Sequence, residues 1–223
     1  MKICHISDNH NFYDFPLHPA DILIHSGDAV MVNKIEQYEV LEKFFSSVRS
    51  QYKEIIFVPG NHDLLFQRDP VAVKAIVKSA SVLIDQGITM GGVNFWGTPW
   101  SYSGTSAEHS CFSFVGTEQK LEAKWSLIPW HTDVLIAHSP PHGVLDQNIQ
   151  GEHCGSPSLR KRIYELPRLK CVLFGHIHNG SGIFTDPTTG VTYSNGCVLG
   201  DDYKFRNPPR VLEVSDYARN GCQ

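Results

Sequence analysis

The sequence has no C-x-x-C pair, its six cysteines (Cys4, Cys111, Cys154, Cys171, Cys197 and Cys222) being scattered singly. That excludes a disulfide framework and a structural zinc knuckle, which both need paired spacing. Cys4 and Cys171 lie inside apolar runs and read as small hydrophobes. No apolar stretch approaches the roughly 20 residues that span a bilayer, and Met1-Lys2-Ile3-Cys4-His5-Ile6 enters a strand at once, without an export segment. The expectation is a chain of the reducing cytoplasm that does not engage a membrane. A basic stripe is missing too. With Lys+Arg 19 against Asp+Glu 23 the net charge is −4, which argues against a nucleic-acid polymer as partner. Arg160-Lys161-Arg162, the one dense basic cluster, reads as a solvated helix face. Repeats, low-complexity tracts and linkers are also lacking, so residues 1–223 read as one domain. The oligomeric state leaves no mark in the sequence.

What is present is a succession of short apolar runs that end in polar side chains. Lys2 to Ser7, Asp21 to His25, Glu54 to Val58, Asp133 to Ala137 and Cys171 to Phe174 read as buried strands. Ser81 to Asp85 and Val93 to Trp96 are shorter strands separated by Gly-rich turns, where antiparallel members join the sheet. Gly182 to Asp186 with Val191 to Asn195 reads as a hairpin, and Arg210 to Val214 as a last strand. Helices are expected from about Asn33, read as the cap, to Arg49, and at Asp69 to Ser79, Thr117 to Trp125 and Ser158 to Leu166. In the first, Val40, Leu41, Phe44, Phe45 and Val48 share one face. Thr98 to Val115 and Gln147 to Pro157 are long irregular loops of the kind that carry function.

The strand ends carry the chemistry. They deliver Asp8 and His10, Asp28, Asn61 and His62, His138, and His176 with His178. This is a nitrogen-and-oxygen ligand set without thiolates, suited to borderline or harder divalent ions. The i, i+2 spacing of Asp8-x-His10 and His176-x-His178 would put each pair on one side of extended backbone. A glycine precedes Asp28, Asn61 and His176, which allows close backbone approach. The candidates are too many for one tetrahedral ion and suffice for two if a carboxylate bridges.

The ordered set Asp8-x-His10, Gly27-Asp28, Gly60-Asn61-His62-Asp63, His138 and Gly175-His176-x-His178 resembles the calcineurin-like metallophosphoesterase superfamily. Gly97-Thr98-Pro99-Trp100, Ser139-Pro140-Pro141-His142-Gly143 with Leu145-Asp146, and Asn207-Pro208-Pro209 are similar to its metallophosphoesterase-domain-containing branch, akin to class III cyclic nucleotide phosphodiesterases. The resemblance covers nearly the whole chain. It implies an α/β fold, a four-layer α/β/β/α sandwich of two mixed sheets flanked by helices, with a dimetal site at one edge. It further implies that Asp8, His10 and His178 hold one ion and that Asn61, His138 and His176 hold the other, with Asp28 bridging. His62 would act as general acid or cationic stabiliser, with Asp63 orienting its ring. The ions would be Mn or Fe, with Zn, Ni or Co as alternatives.

Two departures from the family stand out. Ala137-His138-Ser139 replaces the more usual Thr-His-Gly and leaves the ligand intact. His142 stands where a small or apolar residue is usual; it joins Asn61 as a candidate substrate contact.

Two divalent ions roughly 3.5–4 Å apart can share a water and lower its pKa to about 7. An in-line attack by the bridging hydroxide then needs an imidazole to protonate the leaving oxygen. The function expected is a dimetal phosphodiesterase of small phosphodiesters, cyclic nucleotides included. A phosphomonoesterase using the same site is the alternative. A metal-free interaction scaffold ranks last, because it has no reason to keep every ligand and His62.

The remaining histidines, aromatics and cations have structural readings. His5 and His25 read as satisfied core histidines, and Trp96, Trp100, Trp125 and Trp130 as anchors, with Trp100 or Tyr102 a candidate cleft wall. His109, His153, Lys204 and Arg206 read as loop or solvated surface residues.

Overall fold

The computed structural model describes residues 1–102 and 112–215. Three apolar runs, β1 (Lys2–Ile6), β2 (Ile22–His25) and β3 (Glu54–Phe57), lie parallel at the centre of one sheet. A two-residue strand, β4 (Ser81–Val82), flanks β3. The last strand, β13 (Arg210–Glu213), closes the other edge antiparallel to β1. A second sheet holds β5 (Gln86–Met90), β6 (Val93–Thr98), β9 (Val134–Ala137), β10 (Cys171–Phe174), β11 (Gly182–Thr185) and β12 (Thr192–Asn195), in the order β11-β12-β10-β9-β6-β5. The short pair β7 (Ser101–Tyr102) and β8 (Val115–Gly116) stands apart.

Alternation along the strands explains the stacking. Ile3, Ile24 and Ile56 of the first sheet pack against Phe95, Ile136 and Leu173 of the second in one apolar layer. The alternate residues, Cys4, Leu23 and Phe57 on one side and Leu135, Val172 and Phe174 on the other, face outward under helices. α1 (Ile35–Val48) buries Tyr38, Leu41 and Phe45 there, while α4 (Glu118–Trp125) and α5 (Pro157–Tyr164) bury Leu121, Trp125, Leu159 and Ile163. Each such side chain contributes about 1.5–3 kcal/mol on leaving water. The result is the expected α/β/β/α sandwich of two mixed sheets.

Several details differ from the sequence reading. Asn33 does not cap α1; its side-chain Oδ1 accepts from the Tyr38 hydroxyl at 3.0 Å instead. Val40 is exposed, so the buried face runs through Tyr38, Leu41 and Phe45. A separate turn of helix, α2 (Leu65–Arg68), precedes α3 (Pro70–Ile76), which Asp69 caps by accepting from the Ala72 amide at 3.0 Å. Ser156 caps α5 in the same way, earlier than expected. Gln86 to Met90, which falls in the Gly-rich stretch read as turns between two short strands, is itself a strand that pairs antiparallel with β6. Among the described residues no helix is long and apolar enough to cross a membrane.

Candidate metal centre

Parallel strands end on the same side, so the C-terminal ends of β1, β2, β3, β9 and β10 meet along one edge of the sandwich. Backbone bonds lock the loops together there: Asp8 N–H donates to Gly27 carbonyl at 2.9 Å and Gly175 N–H to His138 carbonyl at 2.9 Å. Asp8, His10, Asp28 and His176 all adopt positive φ, between 41° and 69°. This corrects the extended-backbone reading of the two i, i+2 pairs. Convergence comes from left-handed turns, a conformation that costs a non-glycine residue about 1–3 kcal/mol and is retained mostly at functional sites. All three preceding glycines are needed for close approach: a Cβ on Gly27 would lie 2.5 Å from His138 Nδ1. A Cβ on Gly60 would lie 2.2 Å from Asp28 Oδ1, and one on Gly175 would lie 2.0 Å from Asp8 Oδ2.

Among the described residues, three overlapping groups of side chains present ligand atoms within 4.8 Å of one another: Asp8, His10 and His178; Asp28, His138 and His176; and His10, Asp28 and His62. Asn61 joins the second, its Oδ1 lying 3.0 Å from His138 Nε2. Asp28 reaches both sides, with Oδ2 3.9 Å from His10 Nε2 and Oδ1 3.4 Å from His138 Nε2. Asp8 Oδ1 lies 3.6 Å from His178 Nε2.

The donor set fits divalent ions. Asp8 Oδ1 and both ring nitrogens of His10 are buried without a hydrogen-bond partner among the described residues, an arrangement that costs stability unless something else binds them. Two rings are already oriented by their other nitrogen. His138 Nδ1 donates to Ser26 carbonyl at 2.9 Å, and His178 Nδ1 to Gly200 carbonyl at 3.0 Å. Both leave Nε2 for the cluster, the usual way a ligating imidazole is aimed.

Charge is concentrated here. Burial alone would depress His138 and His178, but Asp28 beside the first and Asp8 beside the second lift each to about 9. Burial opposes ionisation of Asp8 and Asp28 as well, and the surrounding imidazoles nevertheless hold both carboxyls well below the ordinary range. His176, buried and next to the His138 charge, is lowered to about 4. Binding an ion therefore displaces protons from the two raised histidines.

Asp63 does not orient the His62 ring. Its buried carboxylate accepts from the backbone amides of Gly60 at 2.7 Å, Asp28 at 2.8 Å, and Ala29 and Val30 at 3.1 Å. It ties the β2 loop to the β3 loop, and no lone pair is left for an imidazole. The His62 ring is held instead by the Met31 carbonyl, 3.2 Å from Nδ1. The Met31 and Val32 amides are pinned in turn by Gln37 Oε1. The His62 amide donates to Asp28 Oδ1 at 2.8 Å.

His142 stands outside the three groups. It is exposed, with its ring 5.2 Å from that of His153, which hydrogen-bonds Asp146 Oδ1 at 2.6 Å. Asp146 also takes the amides of Gly143 and Gly155, so it builds the Pro-Pro turn. Trp100 is a buried anchor and not a cleft wall: its indole N–H donates to Asp85 at 2.9 Å, with the Lys124 ammonium over the ring. His5 is satisfied by Ser26 and Ser194 hydroxyls, both at 2.9 Å. His25 does more than fill the core, because it holds Asn9 Oδ1 at 2.7 Å and accepts from the Gly27 amide at 3.2 Å. Arg206 is paired with Asp202 at 2.6 Å. His109 lies outside the described residues.

Sequence reasoning misses Cys197, a buried thiol that donates to Asp8 Oδ2 at 3.1 Å. The signal is there: β12 is parallel to β10 and ends in Asn195-Gly196-Cys197 at the same edge. Reading β12 as half of a hairpin hides it as another strand end.

Comparison with known proteins decides the family. Residues 1–180 match the family model described as calcineurin-like phosphoesterase. The chain belongs to this family. It is 30% identical over 240 residues to metallophosphoesterase domain-containing protein 1 from Homo sapiens, covering 94% of this chain and 69% of that protein. It is 28% identical over 160 residues to a 3′,5′-cyclic-nucleotide phosphodiesterase from Nostoc sp., covering 71% of this chain and 56% of the relative. The fold is similar to the crystal structure of a dimetal phosphatase from Danio rerio, with TM-score 0.53, 14% identity and coverage of 90% and 87%. The calcineurin-like phosphoesterase described here is thus a metal-dependent phosphoric ester hydrolase.

Proposed function

We propose that this chain, acting as a single domain over residues 1–223, hydrolyses small phosphodiesters at a dimetal centre. The observation that carries the dimetal reading is Asp28, whose two oxygens face His10 on one side and His138 on the other. Asp8, His10 and His178 would hold one ion, and Asn61, His138 and His176 the other. A set of imidazoles, carboxylates and an amide favours Mn or Fe, with Zn, Ni or Co as alternatives. When bound, such ions supply an acidified water and offset charge on phosphate oxygens.

The chain's own residues do the rest. Asp63 fixes the distance between the Asp28 and Asn61 loops. Met31 carbonyl holds His62 Nδ1, so the ring is positioned beside Asp28 to deliver a proton to the leaving oxygen as general acid. Asn61 meets substrate from its place against His138, and His142 from the exposed turn beyond it. A diester brings one negative charge fewer than a monoester to a pocket containing Asp8 and Asp28, which tilts the site toward diesters. The Nostoc relative, a cyclic-nucleotide phosphodiesterase by name, supports the same direction. The free thiols Cys4, Cys154, Cys171 and Cys197 accord with a reducing cytoplasm.

The alternative is a phosphomonoesterase, favoured by the exposed imidazole of His142, whose ring N–H suits the extra oxygen charge of a dianion. The test is turnover after metal reconstitution, with bis-aryl diester, aryl monoester, and 3′,5′- and 2′,3′-cyclic nucleotides. Measurement of kcat/KM from about pH 5.5 to 8.5 in wild type and His142→Ala separates the readings. The diesterase expectation is a higher value for the diester with the same leaving group. Monoester preference at every pH, unchanged by the substitution, would promote the phosphatase.

A further inference from the structure

The turn after β12 carries an aromatic side chain that neither core nor ligand set requires. Leu199 bridges Phe205 at its base, and the amide of Gly200 donates to Lys204 carbonyl at 2.9 Å. Tyr203 sits in the turn with φ of 56°, an outlier for a bulky residue. Its ring is 5.1 Å from that of His10 and 5.3 Å from that of His178, centroid to centroid, yet the residue is 48% exposed. The turn is also tied to the cluster: Gly200 carbonyl accepts from both the Tyr203 amide and His178 Nδ1. On the opposite flank Phe112, 41% exposed, lies 4.8 Å from the His62 ring. It is held there because the next residue, Ser113, donates its amide to Asn61 carbonyl at 2.9 Å. His62 and His10 are themselves 4.8 Å apart. The ligand-bearing pocket therefore has a half-exposed aromatic ring on each side.

We propose that Tyr203, assisted by Phe112, is the specificity surface for the organic group of the substrate, selecting phosphoesters that carry a planar aromatic ring. A backbone outlier held by a pinned turn needs a compensating role, and a flat face beside the phosphate site fits a nucleobase or an aryl group. Stacking on an exposed ring tolerates either, because each presents a π-face. An aliphatic ester has only the phosphate to offer. This inference rests on the phosphoesterase reading and specifies its substrates.

The test uses manganese-loaded full-length protein and calorimetric affinity for four phosphates: inorganic phosphate, cyclohexyl phosphate, phenyl phosphate and adenosine monophosphate. Wild type is expected to bind the two aromatic esters more tightly than the cyclohexyl one. Tyr203→Ala should weaken the aromatic esters roughly 5- to 150-fold, the span of one lost stack. Inorganic phosphate affinity and metal content should stay put, and Tyr203→Phe should restore the selectivity. Phenyl against adenosine monophosphate identifies which ring the surface prefers. Tyr203→Leu keeps apolar bulk without a π-face, and its failure to restore aromatic preference supports stacking over simple burial. Equal weakening of inorganic phosphate, or lost metal in both Tyr203→Ala and Tyr203→Leu, would make Tyr203 a structural prop and overturn the proposal. A wild type that binds phosphate without preferring aromatic esters overturns it too and leaves the phosphoesterase reading intact. If metal-loaded wild type binds no phosphate at all, both fall.

Discussion

The two ends of β1, β2 and β3 are built from the same residue types to opposite effect. At the N-terminal ends Asp21 accepts from the Lys2 amide and the Lys53 ammonium, both at 2.7 Å, in the open. At the C-terminal ends Asp8 and Asp28 are buried among imidazoles, and one oxygen of Asp8 has no hydrogen-bond partner among the described residues. Asp8, His10, Asn11, Asp28, His176 and Tyr203 put positive-φ backbone at this end. One end is settled by the protein alone, while the other holds strain and unpaired ligand atoms that only a further binding partner relieves. The fold tolerates this because the layer between is packed with apolar side chains such as Ile3, Ile24 and Ile56, and its buried imidazole, His5, is satisfied by Ser194 and Ser26.

The contrast breaks most visibly by removing one carboxylate from each end. Asp28→Ala should bring turnover to background and empty the centre, with the fold retained. Asp21→Ala should leave turnover alone and cost under about 1 kcal/mol, as an exposed ion pair does. Metal content and denaturant midpoints measure both, and equal losses would erase the distinction. His62→Ala should lower the rate roughly 10²–10⁴-fold with metal content near wild type, and less for good aryl leaving groups. If its metal content falls as in His178→Ala, His62 belongs with the ligands of the third group. Gly60→Ala comes next: the added Cβ must push Asp28 aside, and metal affinity should drop roughly 10–100-fold, the range for disturbed ligand support. Unchanged affinity by competition with a chelator would show that the loop has room.

The smallest effect is a pH dependence. In the metal-free protein His138 and His178 are raised from 6.5 to about 9. Their stabilising contribution is full below about pH 6.5 and is lost as the pH rises through about 9. Ions bind the neutral rings, so the Tm difference between loaded and chelator-treated protein should widen from about pH 6.5 to 9. His5 and His25 act in the other direction: burial lowers both to about 3, so stability falls as the pH drops below 6.5 whether or not metal is bound. A Tm difference that narrows toward alkaline pH would show that the cluster is not protonated as described.

Much of this is legible in the sequence for a physical reason. Short apolar runs that stop at Gly27-Asp28, Gly60-Asn61 or Gly175-His176 mark strand ends, and parallel strands bring such ends to one edge. The handedness of the loops is not legible, because positive φ is uncommon for any non-glycine residue, and although Asp and His adopt it more often than most, their presence alone does not mark Asp8, His10 and His176 for it. Nor is the partner of His62. Asp63 is its neighbour in sequence, yet backbone amides from Gly60 and residues 28–30 claim that carboxylate first. Tyr203 is hidden in a stretch read as solvated surface because of Lys204 and Arg206, while the fold puts its ring against His10. Cys111, Cys222 and His109 lie outside the described residues.

The central claim is that Asp28 joins two ions. Electron paramagnetic resonance of manganese-reconstituted protein, with metal content measured on the same sample, tests it most directly. Two ions per chain with an exchange-coupled spectrum are expected in wild type, replaced by an uncoupled signal or none in Asp28→Ala. A wild type that saturates at one ion, or shows two ions with no coupling, would contradict a shared carboxylate between the His10 and His138 sides.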